Sequence, residues 1–216
     1  MSSGSGSLKN YALRHLTWYG QSAFRIAADS GVAVAVDPFR IPSSAGPVDM
    51  VLITHPHFDH YDRRAAAALA GRGATVVVPQ GIARRNQEGI RPGQTVTIAD
   101  LSVSAVPAYC IGKPFHPKTR GWVGYLIRVD GLTIYHAGDT DFIPEMRELR
   151  PDIALLPVGG RFTMNAHGAA EAAAALQAGL VIPMHFNWLL GGNEAGQKFV
   201  EAVGQKAMLL DQTLRR

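Results

Sequence analysis

Short apolar runs separated by turn-forming residues occupy the first two thirds of the chain. Runs in which apolar residues alternate with polar ones, or follow one another without interruption, predict β-strands. The predicted strands cover residues 13–19, 23–28, 32–36, 50–53, 75–78, 95–98, 101–106, 124–129 and 132–135. Asp130 and Gly131, between the last two strands, favour a tight hairpin. This part of the chain is therefore predicted to be rich in strands.

The last third of the chain alternates between helix and strand patterns. Helices are predicted at residues 144–149, 168–178 and 195–203, and strands at residues 153–157, 180–184 and 207–210. One earlier helix is predicted at residues 63–70, an alanine-rich stretch that glycines follow. Because strands and helices are mixed in both halves, we predict an α/β (α+β) fold. Two mixed β-sheets would pack face to face, with the helices outside them.

Domain organisation follows from the absence of a long linker. No polar or Pro/Gly-rich stretch is long enough to divide the chain, so residues 9–216 are predicted to form a single domain. Residues 1–8 are mostly Ser and Gly and lack the apolar core of a signal peptide. We expect them to form a flexible N-terminal leader.

The composition limits the class of protein. Of the 216 residues, 47% are hydrophobic and 18% are charged, as in ordinary globular proteins. The net charge of +4 is scattered along the chain, which argues against nucleic acid as a partner. The single cysteine excludes an intrachain disulfide and fits a reducing compartment. No apolar run has the length of a membrane span, so we expect a cytoplasmic protein without a membrane partner. A homo-oligomer is compatible with the sequence.

The densest cluster of metal-ligand types is the motif H-x-H-x-D-H at residues 55–60. It directly follows the predicted strand that ends with Ile53. His55 and His57 are two residues apart, so they can point the same way in extended chain. Asp59 and His60 lie where the backbone turns into the next helix. One divalent ion could bind His55 and His57 and a second ion Asp59 and His60, with Zn²⁺ expected first and Mn²⁺ or Fe as alternatives.

Other ligand types follow three more predicted strands. Asp139 and His185 each come just after a strand, and Cys110 and His116 come after a third. Sites in α/β folds gather outside the carboxyl ends of strands. We therefore expect these loops to meet the motif at one sheet edge. Asp37, which also follows a buried strand, is our candidate for accepting a ring N–H from one of the histidines.

These segments together resemble the metallo-β-lactamase superfamily. The resemblance is carried by H-x-H-x-D-H, by G-D-T at residues 138–140 and by P-M-H at residues 183–185. Residues 18–24 and 36–39 are similar to the opening of the ascorbate-6-phosphate-lactonase-like branch. The resemblance implies a four-layer αβ/βα sandwich and a centre with two metal ions. The ligands that it implies are His55 and His57 for the first ion, Asp59, His60 and His185 for the second, and Asp139 as the bridge.

The third protein ligand of the first ion departs from the pattern. Many relatives have a His where this chain has Cys110. We predict that His116 completes the site, because a thiolate would add negative charge beside Asp59 and Asp139 and would be open to oxidation. Cys110 and the absence of a protein ligand remain the alternatives.

The resemblance implies a metal-dependent hydrolase that activates water against an ester, lactone or phosphodiester of a small molecule. Asp59 is the candidate catalytic residue, because it would orient the water and share the role of general base. An anionic substrate is one option, with Lys113, Lys118 and Arg161 as its candidate partners. Solvated loop charges are the plainer interpretation of those three residues. The alternatives are a metal-binding or sensor protein without catalysis and a small nuclease or phosphodiesterase.

Overall fold

Two six-stranded sheets are present in the part of the chain that the structure describes, and the first contains the N-terminal strands. A computed structural model describes residues 4–187 and 192–213. The strands of the first sheet are Leu16–Trp18 (β1), Phe24–Ala27 (β2), Ala33–Val36 (β3), Val48–Leu52 (β4), Ala70–Pro79 (β5) and Glu88–Ile90 (β6). Their order in the sheet follows the chain. The pairs β1/β2 and β2/β3 are antiparallel and the remaining pairs are parallel, so the sheet is mixed.

The second sheet contains the next six strands. They are Thr95–Ile98 (β7), Leu101–Pro107 (β8), Val123–Val129 (β9), Leu132–His136 (β10), Ile153–Pro157 (β11) and Leu180–Met184 (β12). Their spatial order also follows the chain, from β7 at one edge to β12 at the other. The pairs from β7 to β10 are antiparallel, whereas β10, β11 and β12 run parallel. This sheet is therefore mixed as well.

Alternation along β3 shows how the layers are built. Val34 and Val36 belong to a large core that includes residues of both sheets. Ala33 and Ala35 belong to a second core with the apolar side of the helix Arg63–Leu69. Successive side chains of a strand point to opposite faces, so one face of the first sheet packs on the other sheet and the opposite face on a helix.

The described residues form four α-helices, which flank the two sheets. They are Ser5–His15 (α1), Arg63–Leu69 (α2), Ala166–Leu176 (α3) and Gly192–Val203 (α4). Helix α2 contacts β4 and β5 of the first sheet, and α3 and α4 contact β11 and β12 of the second. Helix α1 packs on β1, β2 and β12. The predicted sandwich of two mixed sheets flanked by helices is confirmed.

The N-terminal segment differs from the prediction. Helix α1 begins at Ser5, so the predicted flexible leader at residues 1–8 is wrong for Ser5–Leu8, and residues 1–3 lie outside the described part. The strand predicted from residue 13 begins only at Leu16. Leu8, Tyr11 and Ala12 are buried, and their spacing places them on one helix face against the core. The single domain at residues 9–216 stays a prediction.

Smaller differences occur near the C-terminus. The helix predicted at residues 144–149 is a 3₁₀-helix, Pro144–Glu148. The strand predicted at residues 207–210 provides one parallel bridge, between Ala207 and Val181. The short edge strand β6 has no counterpart in the prediction. Within the described residues, the structure has no helix that is both long and apolar enough to span a bilayer.

The packing of α2 can be tested with Leu69→Ala. Leu69 is 0% exposed in the core between α2 and the first sheet. Truncating a buried Leu removes burial and leaves a cavity, so the free energy of unfolding should fall by about 2–5 kcal/mol. Denaturant unfolding measures it. The control Leu13→Ala removes a side chain that is 64% exposed and should change this free energy by less than about 0.5 kcal/mol. Equal effects of the two changes would contradict the packing.

Candidate metal centre

The predicted ligand residues all lie in loops that leave the carboxyl ends of strands. The motif at residues 55–60 follows β4 of the first sheet. His116, Asp139 and His185 come after β8, β10 and β12 of the second sheet. The structure brings these side chains together where the carboxyl ends of the strands of both sheets meet. The prediction that all of these loops meet at the edge of one sheet is therefore corrected, because each sheet provides part of the site.

His55, His57 and His116 form a first group. Their ligand-type nitrogens all lie within 4.8 Å of one another. Nε2 of His55 is 3.0 Å from Nδ1 of His57. The Trp122 ring borders the group, with its centre 5.1, 5.0 and 5.5 Å from the ring centres of His55, His57 and His116. Three imidazoles converging beside an indole match the donor set that zinc prefers.

Asp59, His60 and His185 form a second group. Their ligand-type atoms also lie within 4.8 Å of one another, and all three residues are buried. Oδ2 of Asp59 is 3.8 Å from Nε2 of His60 and 3.7 Å from Nε2 of His185. One carboxylate with two imidazoles is a second set of donors suited to a divalent cation.

Asp139 lies between the two groups. Its Oδ1 is 3.3 Å from Nε2 of His60, and its Oδ2 is 3.1 Å from Nε2 of His185. The same Oδ2 is 3.2 Å from Nε2 of His116 and 3.8 Å from Nε2 of His55. One carboxylate thus contacts histidines of both groups, which is the position that a bridging ligand requires.

Asp37 and Thr54 orient one histidine of each group. Oδ2 of Asp37 is 2.7 Å from Nδ1 of His60, as predicted for a carboxylate that accepts a ring N–H. The Thr54 hydroxyl donates to the same Oδ2 over 2.6 Å and lies 3.0 Å from Nδ1 of His55. Because its single proton goes to Asp37, the hydroxyl accepts from His55. In the neutral form of each ring, Nε2 is then left as an acceptor toward the centre.

Cys110 lies behind His116. Its Sγ is 3.8 Å from Nδ1 of His116, on the side of the ring away from the centre, and its S–H donates to the Phe162 carbonyl over 3.0 Å. Burial, together with the Asp141 carboxylate, raises the pKa of the Cys110 thiol to about 12. Cys110 is therefore a neutral thiol at neutral pH. The structure places His116, and not Cys110, among the ligand candidates of the first group.

Salt bridges hold the loop that carries His116 against neighbouring segments. Lys113 pairs with Asp141 and also donates to the Thr163 carbonyl. Lys118 lies 2.8 Å from the Glu145 carboxylate. Both lysines are thus engaged within the protein, and they hold the loop against the segment that follows β10.

Gln21 is a site residue that the sequence analysis missed. Its amide Nε2 donates to Oδ2 of Asp59 over 2.8 Å and lies 3.0 Å from Nε2 of His185. The backbone carbonyl of Gln21 accepts from the backbone N–H of His185 over 2.9 Å. Gln21 is only 2% exposed, in the turn between β1 and β2. No spacing rule marks a lone Gln in a turn, although the residue lies in the 18–24 segment that carried part of the resemblance.

Burial and neighbouring charges shift the pKa values of three residues of the site. Burial and the neighbouring imidazole of His60 hold the pKa of His55 well below its usual value, which favours the neutral form. Burial alone would raise the pKa of Asp139, but His185 and His60 hold it well below its usual value. Burial would lower the pKa of His60, and the carboxylates of Asp139 and Asp37 raise it well above the usual value instead. Asp139 is therefore ionised.

Three buried polar atoms of the site lack a hydrogen-bond partner within the part of the chain that the structure describes, which indicates whether metal ions fit here. Nε2 of His60, Nε2 of His116 and Oδ1 of Asp139 are buried and have no hydrogen-bond partner among the described residues. Such an atom typically costs about 1–3 kcal/mol of stability when it is left unsatisfied. All three atoms point into the space shared by the two groups. The residues present therefore fit divalent metal ions.

Comparisons with known proteins agree with this geometry. The family model described as the beta-lactamase superfamily domain matches residues 15–185. A UPF0173 metal-dependent hydrolase of Methanopyrus kandleri is 34% identical over 193 residues, which cover 79% of this chain and 83% of the relative. A second UPF0173 metal-dependent hydrolase, from Koribacter versatilis, is 33% identical. The match covers 86% of this chain and 91% of that relative.

A solved structure gives the same result. The crystal structure of a putative metal-dependent hydrolase from Parabacteroides distasonis has a TM-score of 0.78 and 27% sequence identity to this chain. The match covers 90% of this chain and 91% of that one. The chain therefore belongs to the metallo-β-lactamase superfamily. Within it, the chain belongs to the UPF0173 family of metal-dependent hydrolases.

The close approach behind His185 predicts the effect of Gly159→Ala. A Cβ at Gly159 would lie 2.5 Å from the His185 carbonyl oxygen and 3.2 Å from its Nδ1. The backbone at His185 must move, so the mutant should lose thermal stability and bind metal ions at least about 10-fold more weakly. Thermal unfolding and metal titration measure the two effects. The control Gly81→Ala has open space around the new Cβ and should match the wild type. Similar behaviour of both mutants would contradict the described contact.

The assignment of His116 can be tested with His116→Ala and Cys110→Ser. If His116 is a ligand, its loss should remove or weaken the first group's metal equivalent. Cys110→Ser leaves the imidazole in place and should retain both equivalents. Calorimetric titration with Zn²⁺ after treatment with a chelator makes the comparison. Loss of an equivalent in the cysteine mutant alone would show that the assignment is wrong.

Proposed function

We propose that this hydrolase uses two divalent ions, Zn²⁺ first, to hydrolyse an ester, lactone or phosphodiester of a small molecule. The observation that supports the proposal is the position of Asp139 between two groups of ligand-type side chains. His55, His57 and His116 would hold one ion, and Asp59, His60 and His185 the other. Imidazole and carboxylate donors suit Zn²⁺, with Mn²⁺ or Fe as alternatives.

The two ions, when bound, would lower the pKa of water and polarise the scissile carbonyl or phosphoryl oxygen. The protein's own residues would supply position and proton transfer. Asp59 borders the cavity above the centre, where it can orient a water molecule and accept a proton on its carboxylate. The amide of Gln21 donates to Oδ2 of Asp59 and so fixes the direction of that carboxylate.

We also propose a substrate class, a compartment and a branch of the superfamily for this hydrolase. The substrate would be a small molecule, and the protein would act in the cytoplasm. Within the superfamily, the chain would belong to the branch of ascorbate-6-phosphate-lactonase-like enzymes. Two relatives whose names describe metal-dependent hydrolases support the reaction type. A role without catalysis is less well supported, because Asp59 borders an open cavity. A nuclease is less well supported as well, because Lys113 and Lys118 are engaged in ion pairs.

The experiment that tests this function is a substrate screen with the reconstituted protein. Protein stripped by a chelator and reloaded with Zn²⁺ should bind one to two equivalents per chain by elemental analysis. It should then hydrolyse at least one member of a panel of esters, lactones, thioesters and phosphodiesters, and the chelator should remove that activity. A protein that binds no metal, or a loaded protein that hydrolyses none of the panel, would contradict the proposal.

Two mutants rank the residues of the site. Asp139→Ala should cost more activity than His136→Ala, because Asp139 contacts both groups of ligands. His136 lies in neither group, and its Nε2 is 2.9 Å from the Ser22 carbonyl. Loss of a residue behind the ligands typically costs about 10–100-fold, so the Asp139 mutant should lose more than that. Steady-state kinetics on samples of equal folded fraction, checked by circular dichroism, measure the ranking, and the reverse order would place the bridge elsewhere.

A further inference from the structure

A cavity opens directly above the two ligand groups. Its volume is about 210 Å³, and its floor is formed by residues of the metal centre. The other lining residues, among those that the structure describes, are Phe58, Phe115 and Phe162. The space that a substrate must enter is therefore polar at the bottom and aromatic along its walls.

The aromatic walls are held in place before any ligand binds. The rings of Phe115 and Phe162 pack edge to face, with 4.8 Å between their centres. Phe58 packs edge to face on Phe39, with 6.2 Å between centres. Phe58 is nevertheless 65% exposed and Phe115 47% exposed. Large apolar side chains that remain exposed around a concave site are typical of surfaces that bind an apolar partner.

Lys113, Lys118 and Arg161, the candidate partners of an anionic substrate, are not among the residues that line the cavity. Lys113 and Lys118 pair with Asp141 and Glu145. The guanidinium of Arg161 lies over the ring of Phe162, 5.4 Å from its centre, and Arg161 does not line the cavity. Among the described residues, the cavity walls thus carry no Lys or Arg for an anionic substituent.

We propose that the substrate is a neutral ester or lactone whose acyl group lies among Phe58, Phe115 and Phe162. This inference rests on the proposed hydrolase function and specifies its substrate class. Water adds its hydroxyl to the acyl carbon, the bond from that carbon to the alkoxy oxygen breaks, and the leaving oxygen takes up the proton. The products are a carboxylic acid and an alcohol, or the open hydroxy acid from a lactone.

The length of the acyl group provides the kinetic test. Each methylene group that becomes buried should improve transition-state binding about fourfold. The kcat/KM of the Zn²⁺-loaded enzyme should be at least about 10-fold higher for p-nitrophenyl hexanoate than for the acetate. It should also exceed kcat/KM for bis(p-nitrophenyl) phosphate, which carries a negative charge. Equal values for the two esters, or a preference for the phosphodiester that Arg161→Gln removes, would overturn the inference.

Mutants locate the effect in the cavity. Phe58→Ala and Phe115→Ala should each lower the ratio of hexanoate to acetate kcat/KM at least about threefold. Leu13→Ala removes a similarly exposed apolar side chain on α1, which does not line the cavity, and should leave the ratio unchanged. A ratio that is unaffected by both Phe mutations would contradict the assignment of the acyl site.

A binding measurement separates this inference from the proposed function. Hexanamide and acetamide are neutral analogues, and NMR titration of the metal-free protein gives their dissociation constants. Hexanamide should bind at least about 10-fold more tightly, and Phe115→Ala should reduce the difference. If the loaded protein hydrolyses no substrate but this difference is present, the proposed function is wrong and the apolar site stands. If esters are hydrolysed but the amides bind equally, the apolar site is wrong and the hydrolase function stands.

Discussion

The carboxylate of Asp139 is buried and ionised, and the rest of the site depends on how its charge is balanced. An unpaired carboxylate in the interior is strongly destabilising, whereas one surrounded by imidazoles and metal ions is not. Its partners come from both sheets, because His55 and His60 follow β4, and His116 and His185 follow β8 and β12. The charge is therefore balanced only when the two sheets are packed in register. The core between the sheets, which contains Val34, Val36 and residues of the second sheet, sets that register.

Hydrogen bonds behind the centre connect the two groups of ligand residues. Asp37 accepts from His60 in one group and from the Thr54 hydroxyl, which in turn holds His55 of the other. Gln21 joins Asp59 to the backbone of His185 in the same way. These bonds fix the imidazole directions before any ion arrives. A site that is organised in advance loses less conformational entropy when it binds its ligand.

The sequence predicted the fold class and most of the candidate site because both depend on local patterns. Apolar runs of strand length marked the sheets, and ligand types directly after strand ends marked the loops that converge. Helix α1 was missed because Leu8, Tyr11 and Ala12 give a short apolar face after a Ser/Gly-rich start. Gln21 was missed because its role depends on the distant Asp59 and His185.

Other parts of the site could not be predicted, because they depend on residues that are far apart in the sequence. The position of Cys110 behind His116 arises because Cys110 donates to Phe162, which lies 52 residues away. The ion pairs of Lys113 and Lys118 with Asp141 and Glu145 also join segments that only the tertiary fold brings together. No pattern along the chain distinguishes such lysines from solvated ones.

The aromatic walls of the cavity differ in what they share with the metal centre. Phe58 lies between His57 and Asp59, and Phe115 directly precedes His116, so insertion or deletion beside either ring would displace a ligand. During divergence of the family, these two walls can change by substitution but hardly by length. Phe162 lies in the loop between β11 and α3, which contains none of the ligand candidates. Beyond Gly159, which packs against His185, a change of length in that loop would reshape the rim and the choice of substrate without shifting a ligand residue along the chain.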